Sequence, residues 1–168
     1  MISPEYCRTM ARYNAWQNSQ LSGLLETMDE AGLRRDRGAF FGSILGTLSH
    51  LAWGDALWVS RFDGGEAFAL GGEQSAELFA GFAAWAVARR DLDARISGWA
   101  QNVKGAELQG SLQYYSGVMG RKMSKPMGLC VLQLFNHQTH HRGQVHAMMT
   151  AAGWEAPVSD LPFMPDVE

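Results

Sequence analysis

The chain has 168 residues, enough for one domain and short for two. Hydrophobic residues make up 46%, which allows a substantial core, and the formal charge of −3 from 14 basic and 17 acidic residues leaves no basic block to draw nucleic acid. Two cysteines, Cys7 and Cys130, are no disulfide framework. The opening "MISPEYCRTMARYNAW" has Glu, Arg and Asn where a signal peptide needs an apolar core, and no apolar run reaches the roughly 18 residues of a membrane span. The expectation is a cytoplasmic protein with no membrane segment.

The first predicted element is a helix from Pro4 to Met28, with Ser3–Pro4 as its start. Tyr6, Met10, Tyr13, Ala15, Trp16, Leu21, Leu24, Leu25 and Met28 recur mostly at three- and four-residue intervals. "DEAGLRRDRG" then reads as a polar connection. A second helix follows in "SILGTLSHLAWGDALWVSRF", with Ser43 as N-cap, Gly64 and Gly65 as its stop, and Ile44, Leu48, Leu51, Trp58 and Phe62 as its core stripe. A third is expected from Ser75 to Trp99, with Leu78, Phe82, Trp85, Leu92 and Ile96 inward. Between Gln101 and Ser124 glycines interrupt short alternating runs, which predicts a loop region with a short hairpin. The fourth helix runs from Lys125 or Pro126 to Ala152, with Gly153 as its cap and an irregular, proline-rich tail beyond. Four amphipathic segments without a strand series predict an all-α four-helix bundle.

Four of the five histidines lie in "LFNHQTHHRGQVHAMM". His137 and His141 are four residues apart, so about 40° apart on one helix face, and their imidazoles can converge on one cation. His140 lies about 60° to the other side, and His146 about 180° round. Cys130 is about 10 Å along the axis from His137 and reads as a small core residue. "HQTHH" has Gln where a zinc protease motif has Glu, which excludes that reading. His50, on the second helix, has Gly46 and Gly54 one turn to either side. Helix glycines cost about 0.5–1 kcal/mol each, so they call for a reason: room for an ion, or close packing. One histidine from the second helix and two from the fourth would make a three-imidazole site, although periodicity does not say which helices are neighbours. Such a set suits zinc, nickel, copper or ferrous iron and leaves a position for water or substrate. With no carboxylate on the His137/His141 face, the ion's charge would favour an anionic fourth ligand.

"ARYNAWQN", "LSHLAWGDALW", "LFNHQTHHRGQVHAMMTAAG" and "DLPFM", in that order over nearly the whole chain, resemble DinB proteins of the DinB/YfiT-like metalloenzyme superfamily. The resemblance implies one bundle domain over residues 1–168 that binds a divalent metal, zinc or nickel, through His50, His137 and His141. It also implies a homodimer. Some relatives use a low-molecular-weight thiol, which implies an S-transferase or isomerase acting on a small electrophile. A hydrolase using metal-bound hydroxide is a second enzymatic expectation, and a non-catalytic metal- or ligand-binding stress-response protein is the alternative.

Gln144 is placed for a hydrogen bond to a ligand or to substrate, and Trp53, one turn from His50, for the wall of a pocket or for the core. Trp16 is expected in the core and Asn14 in an interhelix hydrogen bond. Arg142 is expected in a surface or interhelix ion pair. Of Tyr114 and Tyr115, one is expected packed and the other exposed. His140 is assigned to ligand orientation, a dimer contact or solvent, and His146 to the outer face or a subunit contact.

Overall fold

The computed structural model describes residues 2–166. Among these, four long helices carry the fold: α1 (Pro4–Leu25), α3 (Ile44–Asp63), α4 (Phe82–Asn102) and α6 (Met127–Ala151). Two short helices, α2 (Glu30–Arg34) and α5 (Gly105–Gln109), sit in the connections. Strands β1 (Ser111–Ser116) and β2 (Arg121–Pro126) pair antiparallel in the predicted hairpin, with Leu112 opposite Lys125 and Tyr114 opposite Met123. α1 packs on α4, α4 on α3, α3 on α6, and α6 returns to α1.

The termini follow the sequence signals. Ser3 Oγ accepts the Tyr6 N–H at 3.3 Å, and Ser43 Oγ accepts the Gly46 N–H at 3.0 Å. Gly64 (φ 74°) and Gly153 (φ 76°) take the left-handed conformation that ends a helix.

Three expectations are corrected. The "polar connection" contains α2, whose Leu33 is buried. The third helix starts at Phe82 rather than Ser75. Residues Gly72–Glu77 form a separate 3-10 turn, in which the buried Ser75 hydroxyl donates to the Gly72 carbonyl at 2.6 Å. On α1 the buried residues are Cys7, Ala11, Tyr13, Asn14, Gln17, Asn18, Leu21 and Leu25, so Tyr13, Leu21 and Leu25 are inward as expected, while Trp16 is only half-buried, tilted against Tyr13 with centroids 5.9 Å apart.

The polar residues of that face belong to a buried network that crosses all four long helices. Arg89 Nη1 donates to Asp55 Oδ2 at 2.5 Å, and Arg89 Nη2 lies 2.9 Å from Asp93 Oδ1. Asn18 Nδ2 donates to both Asp93 oxygens, at 2.9 and 3.2 Å. Asn14 accepts from Arg142, whose guanidinium also lies over the Tyr13 ring at 5.5 Å. Arg142 is therefore an interhelix group, buried rather than on the surface. Burial alone would lower the pKa of Arg89, but Asp93 and Asp55 more than offset it and the value rises. Burial lowers Arg142 to about 10, so it stays charged near neutral pH.

Candidate metal centre

The pairing of α3 with α6 brings His50 opposite His137 and His141. One ring nitrogen from each lies within 4.8 Å of the other two. Ring centroids are 5.2 Å apart for His50–His137, 4.9 Å for His50–His141 and 4.4 Å for His137–His141. The last figure is the helical four-residue spacing turned into proximity. His50 Nε2 and His137 Nε2 are 3.2 Å apart. Two nitrogens on one tetrahedral zinc, each at about 2.0–2.1 Å, stand about 3.3 Å apart, so this pair already has the required separation.

The outer nitrogens fix the tautomers. His50 Nδ1 is 2.8 Å from Ser75 Oγ, whose own hydrogen is given to the Gly72 carbonyl. Ser75 must therefore accept, so His50 carries its proton on Nδ1 and turns an Nε2 lone pair inward. His141 Nδ1 donates likewise to Gln144 Oε1 at 2.7 Å, which leaves its Nε2 a lone pair too. Oriented outer partners of this kind are what metal-bound imidazoles usually have. His137 Nδ1 is buried without a hydrogen-bond partner. Burial, and then the neighbouring imidazoles, lower His137 to about 3 and His50 to about 4; burial also lowers His141. All three rings are thus neutral at physiological pH, the state a cation needs. The Nε2 lone pairs of His50 and His141, on neutral rings grouped with His137, are donors of the kind a divalent ion takes, so the residues fit such an ion.

The two glycines beside His50 admit protein rather than an ion. A Cβ on Gly54 would stand 2.7 Å from His137 Cε1, so the bare helix face is where the His137 ring rests. A Cβ on Gly46 would collide with the Phe41 carbonyl oxygen. Phe41 lies face-on to His50, with centroids 3.8 Å apart and planes 19° apart, and edge-on to His141 at 5.5 Å. Trp53 is also near-parallel to His50, at 5.8 Å and 27°, and its indole N–H donates to the Leu70 carbonyl at 2.8 Å. It thereby holds the segment that carries Ser75.

Other histidines stay outside. His140 is exposed, edge-on to His141 at 4.8 Å, and His146 is half-buried in a separate hollow with Tyr13, Gln17 and Pro157. Tyr114 packs on Trp58 at 5.6 Å and under Arg61, while Tyr115 is exposed. A groove of about 710 Å³ between α1, α6 and the hairpin is lined by Tyr6, Trp58, Tyr114 and the buried Cys130, and by none of the three histidines. Ser75 and Phe41 lie outside the quoted motifs, and sequence reasoning missed their part in the site, whereas Gly54 serves the close packing that was one of its two readings. Only "GAFFGS", two aromatics between glycines, hinted at a constrained turn.

The family model described as DinB family matches residues 1–168. The chain belongs to the DinB family. A crystal structure of a DinB-like protein from Bacillus cereus ATCC 10987 is similar over 87% of this chain and 90% of that one, with a TM-score of 0.61 and 19% identity. At that identity the likeness speaks for the DinB-like fold alone. No curated protein matches the chain significantly. Among the described residues of this DinB chain, no helix is long and apolar enough to cross a membrane, and His50, His137 and His141 are the one group of three or more potential ligands able to hold a metal ion.

Proposed function

We propose that this DinB protein is a metal-dependent enzyme of four-helix-bundle form, with His50, His137 and His141 as ligands of zinc or nickel. The observation that carries the reading is the tautomer pattern: Ser75 and Gln144 take the Nδ1 protons of two rings and leave their Nε2 lone pairs facing the third. A divalent ion held there would supply Lewis acidity, lowering the pKa of a thiol or water at its open position. Three neutral ligands leave the ion's charge uncompensated, which favours an anionic fourth ligand: a thiolate for S-transfer or thiol-dependent isomerisation of a small electrophile, or a hydroxide for hydrolysis.

The chain's own residues contribute orientation and exclusion of water. Ser75 and Gln144 hold two imidazoles in register. Phe41 and Trp53 lie along the His50 ring and lower the local polarity, which strengthens electrostatic interactions there. Gln144 and Trp53 are also assigned to contact with substrate. We assign a homodimer and a cytoplasmic setting as parts of the same reading.

The test is metal per chain after purification without chelator, repeated with His137→Ala. About one equivalent in the parent and none in the variant is expected, and undiminished metal in the variant would sink the assignment. Turnover with low-molecular-weight thiols and electrophiles then tests the transferase class. A second reading, a non-catalytic metal- or ligand-binding stress protein, draws on the lack of a carboxylate in the cluster to act as general base. It predicts metal binding with no turnover for any thiol.

A further inference from the structure

We infer that the Ala39–Gly42 turn is a recognition element of the histidine centre, with Phe40 selecting small molecules that join an anionic donor group to an aromatic body. The inference rests on the metal-binding reading above and adds the class of molecule that the site accepts.

The turn is built to hold its aromatics in place. Gly38 (φ 70°) and Gly42 (φ 71°) flank it in the left-handed region, where a side chain would be strained. The Arg37 N–H donates to the Gly42 carbonyl at 2.8 Å, the Gly42 N–H to Ala39 at 2.8 Å, and the Ser43 N–H to Phe41 at 2.8 Å. Gly46 yields the space that the Phe41 carbonyl occupies. Arg37 ties the turn outward, donating to the Gly32 carbonyl at 3.0 Å and lying over Trp154 at 4.8 Å. Phe41 is thereby committed to the face of His50.

Phe40 has no place inside. It meets Phe41 edge-on with centroids 4.9 Å apart and is 86% exposed. A lone exposed phenylalanine would need no account. This one is the outer member of a continuous aromatic series, Phe40, Phe41, His50 and Trp53, that runs from solvent to the ring nitrogens. A molecule whose anionic end reaches the cation among the histidines has an aromatic surface available for the rest of its body. Aromatic pairs add about 0.5–1.5 kcal/mol, about two- to tenfold in affinity.

The test uses the cobalt(II)-loaded full chain, titrated with benzohydroxamate and with acetohydroxamate and followed by the visible d–d absorption. The two share a donor group and differ in the body. Phe40→Ala is expected to weaken benzohydroxamate by about two- to tenfold and leave acetohydroxamate unchanged, and Phe40→Trp to keep the preference. An unchanged ratio in Phe40→Ala, or no binding of either hydroxamate to a cobalt-loaded chain, overturns the inference and leaves the metal centre standing. Failure to take up cobalt at all removes the metal-binding reading and this inference with it.

Discussion

The histidine cluster and the Asp55–Arg89–Asp93–Arg142 network lie in the same helical framework and treat buried polarity in opposite ways. In the network every contact joins unlike groups: guanidinium to carboxylate, amide N–H to carboxylate, guanidinium to amide oxygen. In the cluster like faces like: two Nε2 atoms meet at 3.2 Å, and the Nδ1 atoms of His50 and His141 are turned away to Ser75 and Gln144. The network joins the helices through the chain's own atoms, with Asp55 Oδ1, Arg89 Nε and Asn18 Oδ1 left buried without a partner. The cluster groups three imidazoles that could hold a metal ion. Polar groups in a protein interior thus signal structure when complementary and function when they repeat one another.

The comparison breaks most visibly at Asp55. Asp55→Ala leaves Arg89 buried with one carboxylate fewer and is expected to cost about 3–5 kcal/mol in urea unfolding, while metal per folded chain stays near that of the parent. If the variant is as stable as the parent, the network is not structural in the sense argued. His137→Ala should do the reverse: metal binding is lost, and metal-free stability is unchanged or slightly raised, because a buried nitrogen without a partner is removed. A large fall in metal-free stability would place His137 among the structural groups.

Smaller effects sharpen the picture. Ser75→Ala frees the His50 tautomer and should weaken metal binding by about 10–100-fold in a chelator competition, with little change in unfolding. Gly54→Ala displaces the His137 ring; a weakened metal affinity with preserved helicity is expected, and an unchanged affinity would show that the ring has another place to rest. The slightest effect concerns pH. His50 and His137 are lowered to about 4 and about 3, below the ordinary 6.5, so the unfolded chain binds more protons between these values. Metal-free stability should be full above about pH 6.5 and fall as pH drops toward the folded values. A His50→Ala/His137→Ala double variant should show a shallower fall, and parallel curves would contradict the lowered values.

The long helices and their caps were legible because they depend on neighbours in the chain, whereas the short α2 and α5 fell within an expected connection and loop. Ser43, Gly64 and Gly153 act within a turn of themselves. On α1 the expected stripe holds at Tyr13, Leu21 and Leu25, but Gln17 and Asn18 are inward too, and the partners of Asn14 and Asn18, Arg142 and Asp93, are distant in sequence. An apolar-periodicity reading counts every apolar side chain as inward and so placed the half-buried Trp16 in the core, while Asn14 is inward as expected. The third helix was drawn too long for a similar reason. Ser75 is helix-compatible locally, but its hydroxyl is placed by Gly72 and His50.

At the site, the chain's own order brings His137 and His141 together, because four residues on a helix put two rings on one face whatever surrounds them. Family likeness added His50. That His50 stands 3.2 Å from His137, that Gly54 makes room for the ring, and that Phe41 covers His50 are consequences of α3 meeting α6. Contacts between elements depend on where each helix ends up, a property of the whole core. Hydrogen-bonded turns and helix faces repeat wherever the local residues allow them, which is why the two-ligand half of the centre was visible in the chain and its closure only in the fold.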